Sequence, residues 1–287
     1  MDNYALDISN LNLTQDKFKL VDVNFKIEKG TIMGFIGRNG AGKTTTINAI
    51  MSFIRKDSGK ILFDGKPMYG NEVEVKNKIG YINDTTNLPN HYTIKKCIKI
   101  LPHLFDTFDI EIFKKLCKEL ELNDDKLTVA KYSLGNRKKL NIATALARNV
   151  DILILDEPLA NLDPIARNQI IDLLMDYMQD ENHSILISSH ILTDLDKICD
   201  NITLIDQGKI KFSMGKDIML DQYRIVNIPT NIFKAEFKEH IIGYHTTSLG
   251  IKGLTTDVDY FNSIAQISTE LATTEDIMLY YCEKNND

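Results

Sequence analysis

Residues 37–45 read GRNGAGKTT and fit the pattern GxxxxGK followed by Ser or Thr. In such a loop the glycines Gly37, Gly40 and Gly42 let the backbone fold its N–H groups around phosphate oxygens, with Arg38, Asn39 and Ala41 between them. Lys43 is spaced to reach the terminal phosphates, and the Thr44 hydroxyl to bind Mg²⁺, with Thr45 beside it. An ordinary glycine turn is the alternative. The context argues against it, because the loop follows the apolar run TIMGFI and opens the helical pattern TTTINAI.

Residues 151–158, DILILDEP, supply carboxylates of a kind that suits phosphate chemistry. Asp156 would hold Mg²⁺ directly or through water, and Glu157 would polarise an attacking water. Pro158 predicts extended geometry for Glu157, because the residue before proline is pushed out of the helical region. In SILISSH, His190 closes a third apolar run and could hydrogen-bond a terminal phosphate. In ANLDP, Asp163 reads as a helix N-cap and Pro164 as a first helical residue, a structural role sufficient by itself.

These residues need a frame. Uninterrupted aliphatic runs predict parallel strands buried on both faces, and open parallel sheets bind ligands at the carboxyl ends of their strands. All three runs carry their reactive side chains at that end. The first 30 residues alternate partially and predict strands packed on one face. Residues 93–130 read as helical: Asp109 is an N-cap, Ile110, Phe113, Cys117 and Leu120 form one stripe, and Pro102 breaks the preceding helical pattern. After Gly215 the segments RIVNI and SIAQIST suggest strands, and TTEDIMLYYCE a helix with a capping box from Thr273 to Asp276. The division expected is 1–215, with a helical part at about 85–145, followed by a small accessory region at 216–287.

Composition excludes several classes. Of 287 residues, 43% are hydrophobic and 26% charged, enough for a sizeable core. A net charge of −6 argues against holding nucleic acid by bulk electrostatics. No basic-then-apolar leader opens the chain, and no apolar run approaches the ~20 residues of a membrane span. Cys97, Cys117, Cys199 and Cys282 form no metal spacing and read as reduced, buried thiols of the cytosol.

One stretch remains: YSLGN at 132–136, followed by Arg137, Lys138 and Lys139. Cations are mildly unfavourable at a helix start. They either add field for an anion arriving from elsewhere or form a solvated basic face, and the second reading is taken for Lys138 and Lys139.

In order and spacing, the phosphate loop, YSLGN, DILILDEP, ANLD and His190 resemble the nucleotide-binding subunit of an ATP-binding cassette (ABC) transporter over about residues 5–215. The resemblance implies an α/β P-loop NTPase core of ABC type, an N-terminal antiparallel β subdomain, a helical subdomain and a small C-terminal α+β region. It implies binding of ATP and Mg²⁺ at residues 37–45 and ATP hydrolysis assisted by Glu157 and His190. It also implies a head-to-tail partner, a second copy or a related ATPase subunit. Ser133 and the Gly135 amide, with Asn136 and Asp163 nearby, would meet the γ-phosphate of that partner's ATP.

Three positions depart from the pattern. Leu134 stands where the family usually has glycine, and would be strained if its φ were positive. Asp84 stands where glutamine or glutamate is usual and would sense Mg²⁺ or the attacking water, with Asn83 beside it. Gln15 falls where an aromatic residue normally stacks on adenine, leaving Phe18 as the substitute.

With one phosphate loop and no membrane span, the chain needs a separate transmembrane permease, which would hold it on the inner face of the cell membrane. The C-terminal tail and the YSLG signature resemble cassettes of bacterial exporters of drugs, antimicrobial peptides or amphipathic peptide toxins, phenol-soluble modulin exporters among them. The alternatives are a nucleotide-sensing regulatory module that barely hydrolyses ATP, and an ATPase without a membrane partner.

Overall fold

Aliphatic side chains in unbroken runs build the middle of the molecule. The computed structural model describes residues 3–83, 88–122, 124, 126–248 and 250–282. Strands β1 (Tyr4–Gln15) and β2 (Phe18–Glu28) pair as a long antiparallel hairpin with largely alternate burial. Strand β3 (Ile32–Ile36) is buried at every residue and leads through the glycine loop into helix α1 (Lys43–Ile50). Strands β4 (Ser58–Phe63) and β5 (Lys66–Pro67) complete an antiparallel sheet in the order β2-β1-β4-β5. Helix α2 (Glu72–Asn77) then precedes strand β6 (Ile79–Ile82).

Helices α3 (Ile94–Leu104), α4 (Ile110–Glu119) and α5 (Leu134–Leu146) follow. Asp109 caps α4 by accepting from the N–H groups of Glu111 and Ile112, and Phe113, Cys117 and Leu120 are buried as the stripe predicts. Pro102 does not end α3, which continues through it to Leu104. Proline carries a helix-compatible φ, and near a helix C-terminus its missing N–H costs a single bond.

Strand β7 (Ile152–Asp156), helix α6 (Pro164–Tyr177), strand β8 (Ser184–Ser189), helix α7 (Leu192–Ile198) and strands β9 (Asn201–Asp206) and β10 (Lys209–Gly215) finish the central sheet. Its order is β10-β9-β3-β8-β7-β6, parallel except for the antiparallel edge strand β10. The aliphatic runs therefore form the parallel strands expected, and β3, β7 and β8 lie side by side in one register.

Helix α8 (Lys216–Gln222) leads to a third, antiparallel sheet of β11 (Arg224–Pro229), β12 (Gly243–Thr247), β13 (Gly250–Thr255) and β14 (Ser268–Leu271), with helix α9 (Val258–Asn262) between the last two. Only the last two residues of SIAQIST enter β14. Helix α10 (Thr274–Cys282) opens on the anticipated box: Thr273 N donates to Asp276 Oδ2 at 3.0 Å, and Asp276 N to Thr273 Oγ1 at 3.1 Å. Ile277 and Tyr280 of α10 join the core that also holds Leu195, Ile202 and Leu204. Among the described residues, no helix is long and apolar enough to cross a membrane.

Candidate active site

The glycine loop is shaped by what crowds it. A Cβ on Gly37 would lie 2.3 Å from the Ile205 carbonyl oxygen, so no side chain fits there. Gly42 enters α1 at φ 117, where a Cβ would also meet Phe18 Cζ at 2.8 Å. Phe18, at the start of β2, thus lies against the loop. The turn between β9 and β10 secures the other side, with Gly208 N donating to Ala41 O at 2.9 Å. Arg38, Asn39, Gly40 and Thr44 are exposed and Thr45 is half-buried. The first N–H groups of a helix have no partner within it, and they add to the positive end of its dipole.

Lys43 is only 6% exposed. Its Nζ donates to Gly37 O at 2.7 Å and Arg38 O at 3.5 Å, and lies 3.6 Å from Glu157 Oε1. The ammonium therefore bridges the loop and the end of β7. Backbone donors, one ammonium and two hydroxyls fit a polyphosphate chemically. The Thr44 hydroxyl and the buried Asp156 carboxylate suit Mg²⁺, which takes one or two protein oxygens plus phosphate and water. Such an ion needs no dedicated cage, and the described residues hold no cluster of three or more His, Cys, Asp or Glu able to make one.

Beyond Asp156 the chain turns sharply. Ser188 Oγ on β8 donates to Asp156 Oδ1 at 2.6 Å. Glu157 N donates to Ser188 O at 3.2 Å and to Ser188 Oγ at 3.0 Å. Glu157 is not extended, as Pro158 predicted, but left-handed at φ 51. A non-glycine residue held there costs about 1–3 kcal/mol and persists only when its surroundings fix it. They do so at both backbone groups, because Glu157 O accepts from Ala160 N at 3.3 Å and from Lys138 Nζ at 2.9 Å. Tertiary hydrogen bonds outweigh the local preference set by proline.

The left-handed turn aims the Glu157 carboxylate between two partners. Oε1 faces Lys43, and Oε2 lies 2.7 Å from Nδ1 of His190, at the end of β8. With Nδ1–H donating to the carboxylate, Nε2 is left to meet an incoming group. The Glu157 side chain is 18% exposed and that of His190 48%, so the pair is reachable from solvent. Lys43, Glu157 and His190 thus converge at the carboxyl ends of three adjacent parallel strands.

The YSLGN stretch forms the entrance to α5. Ser133 is its N-cap, with Oγ accepting from Asn136 N at 3.1 Å, and a hydroxyl so engaged still has a proton to donate. Leu134 is the first helical residue, has negative φ and is 49% exposed, so leucine carries no backbone strain. A Cβ on Gly135 would lie 3.3 Å from Leu162 Cδ2, which places this turn against the ANLD loop.

Lys138 and Lys139 do not form a solvated face, and Arg137 is half-buried. Arg137 donates through Nε to Tyr132 O at 3.1 Å and through Nη2 to Ala130 O at 2.6 Å. Lys138 and Lys139 are 2% and 9% exposed. Lys138 Nζ donates to Glu157 O and, at 2.8 Å, to Ala160 O, while Lys139 Nζ reaches Gln169 Oε1 at 3.3 Å and Leu120 O at 3.4 Å. They bind carbonyl groups of segments distant in sequence, which periodicity cannot reveal.

Asp163 caps α6 as expected, accepting from Ile165 N and Ala166 N at 3.0 Å each. The bond from Ala166 N, helped by that from Ile165, holds its carboxyl below the usual range. Asp84 lies outside the described residues. Sequence reasoning gave no role to Ser188 or to the carbonyl contacts of Lys138. The polar end of SILISSH was the one signal for the former.

A family model described as "ABC transporter" matches residues 20–160. The "ABC transporter ATP-binding protein YtrB" of Bacillus subtilis (strain 168) is 33% identical over 204 residues, which cover 71% of this chain and 69% of that protein. The chain belongs to the ABC transporter ATP-binding family. Members of this family are ATPases. The "Bacitracin transport ATP-binding protein BcrA" of Bacillus licheniformis is 34% identical over 194 residues, 67% of this chain and 63% of that relative. Among solved structures, "Structure of ATP binding subunit of ABC transporter" superposes with a TM-score of 0.71 at 25% identity, covering 76% of this chain and 92% of that one. The ABC-type α/β fold is thereby established.

Proposed function

We propose that this ABC subunit binds Mg-ATP on residues 37–45, hydrolyses it with Glu157 and His190, and so powers export of a peptide, toxin or drug through a separate permease. The observation that carries this reading is the convergence of Lys43, Glu157 and His190 on one point. Lys43 and the loop amides hold the β- and γ-phosphates. Phe18, against Gly42, offers a ring to adenine. Glu157 accepts a proton from the attacking water, and His190 orients the γ-phosphate through its second nitrogen. Thr44 and Asp156 would hold Mg²⁺, which when bound would supply positive charge to the phosphate oxygens. In a head-to-tail dimer Ser133, Gly135 and Asn136 cap the partner's γ-phosphate, and hydrolysis reopens the pair.

A cavity of about 310 Å³ between β6 and the helical region, lined by Tyr81, Leu88, Tyr92, Leu104, Phe105 and Arg148, suits a permease segment. Docking there would place the chain on the inner face of the cell membrane. The similarity to a bacitracin transport protein supports a peptide cargo. Residues 1–215 would act as the ATPase unit and 216–287 as the accessory region. The test is ATP turnover by Glu157→Gln: turnover is abolished with ATP binding retained, and persistent turnover would remove Glu157 from its role.

A further inference from the structure

Lys138 is a buried ammonium on α5, five positions beyond the N-cap Ser133. Burying a cation is costly unless hydrogen bonds replace its water, and an aliphatic side chain would fill the same space without that cost. Here the ammonium donates to Glu157 O at 2.9 Å and Ala160 O at 2.8 Å. Those carbonyls bracket the turn that carries Glu157 in its left-handed conformation. Ser188 fixes the same residue from its N–H side. Glu157 is therefore held at both backbone groups, from β8 on one side and from the signature helix on the other.

We infer that Lys138 is a positioning residue for hydrolysis: it locks the Glu157–Ala160 turn so that the Glu157 carboxylate stays aimed between Lys43 and His190. It touches no substrate and acts through the Glu157 backbone. Because Lys138 and Ser133 share one helix, the turn that caps the partner's nucleotide is tied rigidly to the carboxylate of its own subunit. This inference rests on the role proposed for Glu157.

The test is steady-state ATPase kinetics of the full chain, scaled to the fraction that binds a fluorescent ATP analogue. Lys138→Met keeps the length and removes the donors. It should lower kcat about ten- to hundredfold while KM for ATP stays within about twofold, because the lost bonds matter after binding. Lys138→Gln restores two N–H donors and should recover part of that loss. Glu157→Gln is run alongside. If it keeps turnover, the role of Glu157 is wrong and the inference falls with it. If Glu157→Gln is inactive while Lys138→Met turns over normally, only the inference is overturned. Equal losses in Met and Gln variants, or a parallel rise in KM, would also overturn it. Should Lys138→Met not fold, Lys138→Leu, which also lacks donors, decides: reduced kcat at unchanged KM supports the inference, and normal kcat refutes it.

Discussion

Replacing Ser188 by alanine isolates the other support of the Glu157 turn. Ser188 is fully buried, and its hydroxyl both donates to Asp156 Oδ1 and accepts from Glu157 N. Alanine removes one oxygen and leaves the β8 backbone in place, so Glu157 N keeps its bond to Ser188 O. The main loss is a short bond to a buried carboxylate, about 1.5–3 kcal/mol for a charged acceptor. For a chain of this size that lowers Tm by about 2.5–5 °C. The Glu157 turn loosens as well, and a loss of about 1.4 kcal/mol in its positioning would lower kcat about tenfold. Thermal melts and ATPase kinetics at saturating Mg-ATP read the two effects separately. A Tm within about 1 °C and a kcat within about twofold of the parent would refute both the charge-assisted bond and the frame built on it.

Two further outcomes follow from local geometry. Leu134→Gly should destabilise by about 1 kcal/mol in urea unfolding, because Leu134 has helical φ and glycine weakens a helix start; a gain in stability would mean that leucine is strained after all. All four cysteines are buried, and burial pushes the Cys97 and Cys282 thiols up to about 11 and Cys117 up to about 12. An exposed-thiol reagent at pH 8 should then label the native protein slowly and the urea-unfolded protein fully, since the thiolate is the reactive form. Fast native labelling would contradict the burial.

The parts legible in the sequence were those set by neighbours in sequence. Four consecutive aliphatics before Asp156 could only be satisfied between layers, so the parallel strands and their shared carboxyl end were readable. Asp109, Asp163 and Thr273 cap helices through bonds two or three residues away, and each was foreseen. What escaped lies in tertiary contacts. Lys138 meets carbonyls 19 and 22 residues further along, and no periodicity distinguishes a buried ammonium from a solvated one. Pro158 favoured extended geometry at Glu157, but Ser188, Ala160 and Lys138 together outweigh it. Ser188 reads as one serine of a pair, and only the sheet register shows which of them faces Asp156 across the strands.

The most direct measurement is the solution mass of Glu157→Gln, by light scattering after gel filtration, with and without Mg-ATP. Closure by two nucleotides predicts a monomer alone and a dimer with Mg-ATP, because Ser133 and Gly135 then cap a γ-phosphate that the variant cannot cleave. A chain that binds Mg-ATP and stays monomeric would contradict the nucleotide-driven dimer on which the proposed cycle depends.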